Sequence, residues 1–181
     1  MIIILNGTNR KTSLSRPVSD FVFNLLKETY SGSVELLDLS DISLNAYDSQ
    51  SMYHSDSVSD EIRNIQTSLL VPSSKMVFIS PEYNGSIPGI LKLFIDACSI
   101  KDAKASFYHK KACLIGVASG RAGNLRGLEH LTGILMYMNM IIYPNKMPIS
   151  RIESLIDSQG RLTDVSTQEL IKKLMDEFME F

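Results

Sequence analysis

The sequence predicts an α/β protein whose five-stranded parallel sheet is covered on both faces by helices. Two observations lead there. Short, unbroken apolar runs recur at Ile2–Leu5, Met76–Ile79 and Cys113–Ala118, as strands buried on both faces require. Between them lie stretches whose apolar residues follow helical spacing. Strict alternation of the two is the pattern of parallel strands joined by helical crossovers.

Taken in order, Ile2 to Leu5 is the first strand, and Leu14, Val18, Phe21, Val22, Leu25 and Leu26 form the apolar stripe of the first helix. Pro17 is tolerated only in a first turn, so that helix should begin between Ser13 and Arg16. Val34 to Leu37 is the second strand, and residues 40–57, rich in Ser, Asp and Asn, form an irregular connection. Ser57-Val58-Ser59-Asp60 reads as a capping box for a helix carrying Val58, Ile62, Ile65, Leu69 and Leu70, ended by Pro72. After the third strand, Pro88 suits the first turn of a helix bearing Ile90, Leu91, Phe94, Ile95 and Cys98. Leu125, Leu128, Leu131, Leu135 and Met138 share one face of the helix after strand four. Met140 to Tyr143 is a short fifth strand ended by Pro144. Ser166-Thr167-Gln168-Glu169 caps a final amphipathic helix. Residues 144–165 lack periodicity and are expected to form an arm toward a partner subunit.

The 181 residues suit one domain. A net charge of −2 gives no electrostatic reason to expect nucleic acid. No apolar run reaches the roughly 18 residues that span a bilayer, and the apolar start lacks the positive flank of a secretory leader. Cys98 and Cys113 form no CxxC motif, which points to a reducing cytoplasm. His54, His109 and His130 are scattered without metal-ligand spacing. The phosphatase motif Cys-x5-Arg fails because Ser119 lies six residues after Cys113, and no GxSxG elbow exists.

Sheets of this kind place ligands beyond the carboxyl ends of their strands, so the loops after strands one, three and four carry the chemistry. The first, Gly7 to Arg16, offers helix N-terminal amides, hydroxyls on Thr8, Ser13 and Ser15, and the guanidinium of Arg10, a set that favours phosphate. It is neither a Walker A loop nor GxGxxG. A polar turn with serine caps would use the same residues. The second, Ser80 to Gly89, is held compact by two prolines and two glycines. It presents Tyr83, Asn84 and Ser86 and suits the polar edge of a planar heterocycle; a rigid turn without ligand has the same composition. The third, Ser119-Gly120-Arg121-Ala122-Gly123-Asn124, permits close backbone approach.

These loops resemble the NAD(P)H-dependent FMN reductases, the flavodoxin-like group that includes quinone and azo-dye reductases. Gly7-Thr8-Asn9-Arg10-Lys11-Thr12-Ser13-Leu14-Ser15 follows the first family signature, and Pro81 to Lys92 matches the second in full. Asp96 also stands where the family commonly has aspartate. The resemblance implies a flavodoxin-like three-layer α/β/α sandwich with strand order 2-1-3-4-5. It implies that Thr8, Arg10, Ser13 and Ser15 hold the FMN phosphate. It further implies that Pro81, Glu82, Tyr83, Asn84, Gly85 and Ser86 border the isoalloxazine. Ser119, Gly120 and Arg121 would lie near flavin N1 and O2, with Arg121 stabilising the reduced anion. Thr8 and Ser15 stand where the family has serine and asparagine, and Ala97 where it often has tryptophan. The implied activity is hydride transfer from NADPH through FMN to a small electron acceptor, with no obligatory side-chain acid or base, in a homodimer or homotetramer. An electron carrier and a flavin-free binding protein are the other readings.

Overall fold

The structure is a computed structural model describing residues 1–47 and 58–181. Strand β1 (Ile2–Asn6) pairs with β2 (Val34–Asp38) on one side and β3 (Lys75–Pro81) on the other, all parallel. Strand β3 pairs in turn with β4 (Lys111–Val117), giving the expected order β2-β1-β3-β4-β5. The fifth position is shared. β5 (Ile141–Ile142) pairs with the start of β4, and an additional strand, β6 (Met147–Ile149), pairs with its end. Pro144 explains the split, because a proline has no N–H to continue the ladder.

Alternation along each strand sends residues to two cores. Ile2, Ile4, Val77, Ile79, Cys113 and Ile115 pack beneath α1 (Arg16–Thr29) and α6 (Val165–Glu180). Ile3, Leu5, Met76, Phe78, Ala112 and Leu114 face the opposite layer. That layer contains α2 (Asp60–Ile65), α3 (Gly89–Ile100), α4 (Ala103–Phe107) and α5 (Leu125–Tyr137). A π-helical turn, Gln66–Leu70, extends α2. Gln66 ties that turn to the neighbouring helices by donating to the carbonyls of Cys98 and Lys101 and to Ser106 Oγ. Lys110 closes its end, donating to the carbonyls of Leu70, Val71 and Ser73. Burial pushes the Lys110 ammonium down to about 8.

Five expectations are corrected. The α2 cap is Ser59, whose hydroxyl accepts from Ile62 N–H, while Ser57 lies outside the described residues. The α6 cap is Asp164, whose carboxylate accepts from Thr167 N–H, displacing the motif expected at Ser166. An N-cap must sit where the chain turns from extended to helical backbone, and a capping residue two positions away looks equivalent in sequence. Pro88 is itself the α3 cap position. Leu125, at the start of α5, is exposed rather than on the buried stripe. Finally, residues 144–165 do not reach outward as an arm. Ile149, Ile152 and Leu162 are buried in the α1/α6 core, and a β-bridge joins Ile156 to Leu162.

Candidate flavin site

All three loops converge at the carboxyl edge of the sheet. A cleft of about 90 Å³ opens between them, lined by Arg10, Ser13, Pro81, Tyr83, Ser119 and Ile152 among others. Arg10 is exposed there.

The loop after β1 is built on a buried polar chain. Asn6 ends an otherwise apolar strand and is 1% exposed. Its Nδ2 donates to Asp38 Oδ2 at 2.9 Å, and its Oδ1 accepts from Ser15 Oγ at 2.6 Å. Ser13 Oγ lies 2.6 Å from Ser15 Oγ. Arg16 pairs with Asp38 at 2.8 Å and with Asp20 at 2.7 Å. Thr8 is fully buried, accepts from Arg10 N–H, and shares a 3.1 Å hydrogen bond with the Tyr83 hydroxyl. It therefore joins the first loop to the second. Ser15 is also fully buried, with its hydroxyl directed inward.

In the loop after β3, Tyr83 and Ser86 exchange both backbone hydrogen bonds across Asn84 and Gly85. Both central residues have positive φ, 51° and 78°. That conformation is the tight hairpin turn that Asn-Gly favours. Glu82 Oε1 accepts from Gly85 N–H at 2.9 Å and holds the turn closed. Ser86 Oγ meets His130 Nδ1 at 2.8 Å, so α5 steadies the far end of the loop.

In the loop after β4, Ser119, Gly120 and Arg121 are exposed, whereas Gly123 and Asn124 are buried. Asn124 adopts positive φ and donates from Nδ2 to Ser80 O, fastening this loop to the preceding one. The segment after β6 buttresses it from outside. Arg151 N–H donates to Gly120 O, Ile152 N–H donates to Ala118 O, and Ser119 Oγ donates to Glu153 Oε1.

Residues 1–153 match the model of the NADPH-dependent FMN reductase family. The chain belongs to that family. It is thereby an oxidoreductase, and membership implies use of FMN and a nicotinamide. An NAD(P)H-dependent FMN reductase of Pseudomonas aeruginosa is 32% identical over 144 residues, covering 78% of this chain and 74% of that one. A 2-hydroxy-1,4-benzoquinone reductase of a Burkholderia species is 24% identical over 178 residues, covering 98% of this chain and 93% of that one. Among solved structures, a flavoenzyme NAD(P)H:(acceptor) oxidoreductase of Paracoccus denitrificans superposes with a TM-score of 0.76 at 22% identity. That alignment covers 99% of this chain and 94% of the other. A flavodoxin from an archaeon superposes at 0.59 over 99% of both chains with 11% identity. The fold is therefore flavodoxin-like, with the extra strand β6 beside β4.

Every site residue expected from the sequence lies in these three loops, but not all face the cleft. Arg10, Ser13, Pro81, Glu82, Tyr83 and Ser119 line it. Thr8 and Ser15 are buried behind it. Asn6, Asp38, Asn124, Ile152, Glu153 and His130 support the loops, a role the sequence assigned to none of them. Only Asn6 carried a signal, as a polar residue closing the run Ile2–Leu5.

Proposed function

We propose that residues 1–181 form one FMN-binding domain that catalyses electron transfer from NADPH to a small acceptor such as a quinone, an azo compound or a free flavin. The observation that carries this reading is the convergence of Arg10, Ser13, Tyr83 and Ser119 on one cleft at the carboxyl ends of β1, β3 and β4. The donor set fits the cofactor: a guanidinium and a hydroxyl at a helix N-terminus for the phosphate, and a rigid turn with an aromatic face for the ring. Bound FMN would supply the hydride-accepting and electron-donating chemistry.

The chain's own residues bind and orient. Arg10 and Ser13 hold the phosphate, and Thr8, bonded to Tyr83, keeps the phosphate and ring ends in register. Glu82 fixes the Asn84-Gly85 turn, so that Pro81 to Ser86 present a preformed edge. Ser119 lines the cleft, and the exposed Gly120 and Arg121 that follow it would border the flavin ring, where the Arg121 cation would favour the reduced, negatively charged form. The preference for NADPH rests on the family's character, and a cytoplasmic location on two cysteines that form no CxxC motif.

The purified protein reconstituted with FMN is expected to be yellow and to oxidise NADPH in the presence of a quinone, with slower turnover of NADH. A visible spectrum and the near-ultraviolet absorbance of the reduced nicotinamide read both results. Absence of turnover with either nicotinamide would sink the enzymatic reading and leave an electron carrier.

A groove of about 800 Å³ runs between α3 and α5 beside Ser86, lined by Ile87, Ile95, Ile134, Tyr137 and Met138. Tyr137, among the residues lining it, is 85% exposed. A second copy of the chain is the occupant we propose, in keeping with the homodimer or homotetramer of the resemblance. Light scattering should return at least twice the mass of 20.2 kDa, and a monomer would overturn this assignment.

A further inference from the structure

We propose that Asn6 is a positioning residue for the phosphate loop, holding Ser15, and through it Ser13, in the geometry that receives the phosphate. The inference rests on the reading that this loop binds the FMN phosphate.

Hydrogen-bond polarity carries the argument. Asp38 is 5% exposed and ion-paired with Arg16, so its carboxylate can only accept. The side of Asn6 that faces it must therefore be the amide nitrogen, which donates to Asp38 Oδ2. A flipped amide would set two acceptors against each other in a buried site. This fixes Asn6 Oδ1 toward α1, where it accepts from Ser15 Oγ at 2.6 Å and from Ser19 Oγ at 3.4 Å. The Ser15 proton is then committed inward, and its oxygen lone pairs are left to receive the Ser13 hydroxyl at 2.6 Å. Ser13 Oγ also accepts from Ser15 N–H at 3.2 Å.

The chain Asp38–Asn6–Ser15–Ser13 thus runs in one direction, from a buried charge to the wall of the cleft. A phosphate arriving there turns the Ser13 proton from Ser15 Oγ into the cleft by rotation of the hydroxyl, while the Ser15 N–H keeps Ser13 Oγ in place. Ser13 lines that cleft and Ser15 does not. Ser15 acts as a relay in this chain, and the amide that steadies it comes from β1 rather than from its own position. Only one member of the chain would touch the ligand.

The test compares dissociation constants for FMN and riboflavin, which differ by the phosphate alone, measured by flavin fluorescence quenching. Asn6→Ala is expected to weaken FMN binding roughly tenfold, the scale set by losing one buried hydrogen bond's orientation, while riboflavin binding is unchanged. Ser15→Ala, a smaller change that keeps the fold if Asn6→Ala does not, is expected to lose a similar part of the preference for FMN. The double variant should lose no more than the worse single one, because both act on one chain. Additive losses would place Ser15 on the phosphate directly and overturn the proposal. So would equal weakening of FMN and riboflavin, or a Ser15→Ala protein with full FMN preference. A wild-type protein that binds FMN no more tightly than riboflavin would instead overturn the phosphate reading, and the proposal with it.

Discussion

Replacing Gly116 with alanine is expected to destabilise the protein by about 3 kcal/mol, lowering Tm by about 6–12 °C. Gly116 lies in β4, and a Cβ built there would sit 2.4 Å from Gly123 O, 3.1 Å from Asn124 Cβ and 3.1 Å from Leu128 Cδ1. The first contact is backbone and cannot rotate away. Gly123 is itself pinned, because its own Cβ position lies 2.8 Å from Pro148 backbone. The clash therefore moves either β4 or the whole Ser119–Asn124 loop, and FMN affinity should fall with stability. Gly89→Ala serves as the control, since nothing lies within 4 Å of its Cβ position. It should be neutral to within about 1 kcal/mol. Thermal unfolding of the two variants by circular dichroism gives the comparison.

Arg10→Ala is expected to raise the FMN dissociation constant about 10- to 100-fold, the worth of a charge-assisted hydrogen bond to phosphate. Riboflavin should bind unchanged. Arg10 makes no ion pair among the described residues, so its removal leaves no partner stranded. Arg16, six residues along the same loop and helix, should behave in the opposite way. Its loss strands the Asp38 carboxylate, whose side chain is 4% exposed. The Arg16 side chain is 42% exposed, so solvent already weakens that pair, and the cost is about 1–2 kcal/mol of stability. Asp38 would continue to accept from Asn6, so FMN affinity should change little. Equal dissociation constants for wild type and Arg10→Ala would contradict the phosphate assignment.

The contrast between these two arginines shows what the sequence could and could not convey. Both are basic residues beside one loop, and the family resemblance implies a phosphate role for Arg10 alone. What Arg16 does depends on Asp38, which is distant in sequence and adjacent only because β1 and β2 pair with Asn6 opposite Asp38. The strands, the sheet order and the placement of the three loops were legible because buried parallel strands and amphipathic helices leave periodic marks. The buried polar chain left only a polar Asn6 closing an apolar run, and one asparagine at a strand end has no period. The inward direction of the Ser15 hydroxyl left no mark either: a serine's direction is set by tertiary partners, not by its neighbours. The segment after Pro144 departs from the expected arm because Ile149 closes a strand of three residues, too short to show a period, and Ile152 and Leu162 enter the core from a single turn and an isolated bridge. Its role in bracing the Ser119–Arg121 loop depends on β6 running alongside β4.

The division of the fifth strand at Pro144 also bears on how the molecule behaves at high concentration. An outer strand offers a row of unpaired N–H and C=O groups on which another chain can polymerise. Here that row is never long: β5 has two residues, β6 has three, and Pro148 in β6 supplies no N–H. Two prolines deny an incoming strand the continuous register it would need. On this border the sheet resists edge-to-edge aggregation without a covering helix.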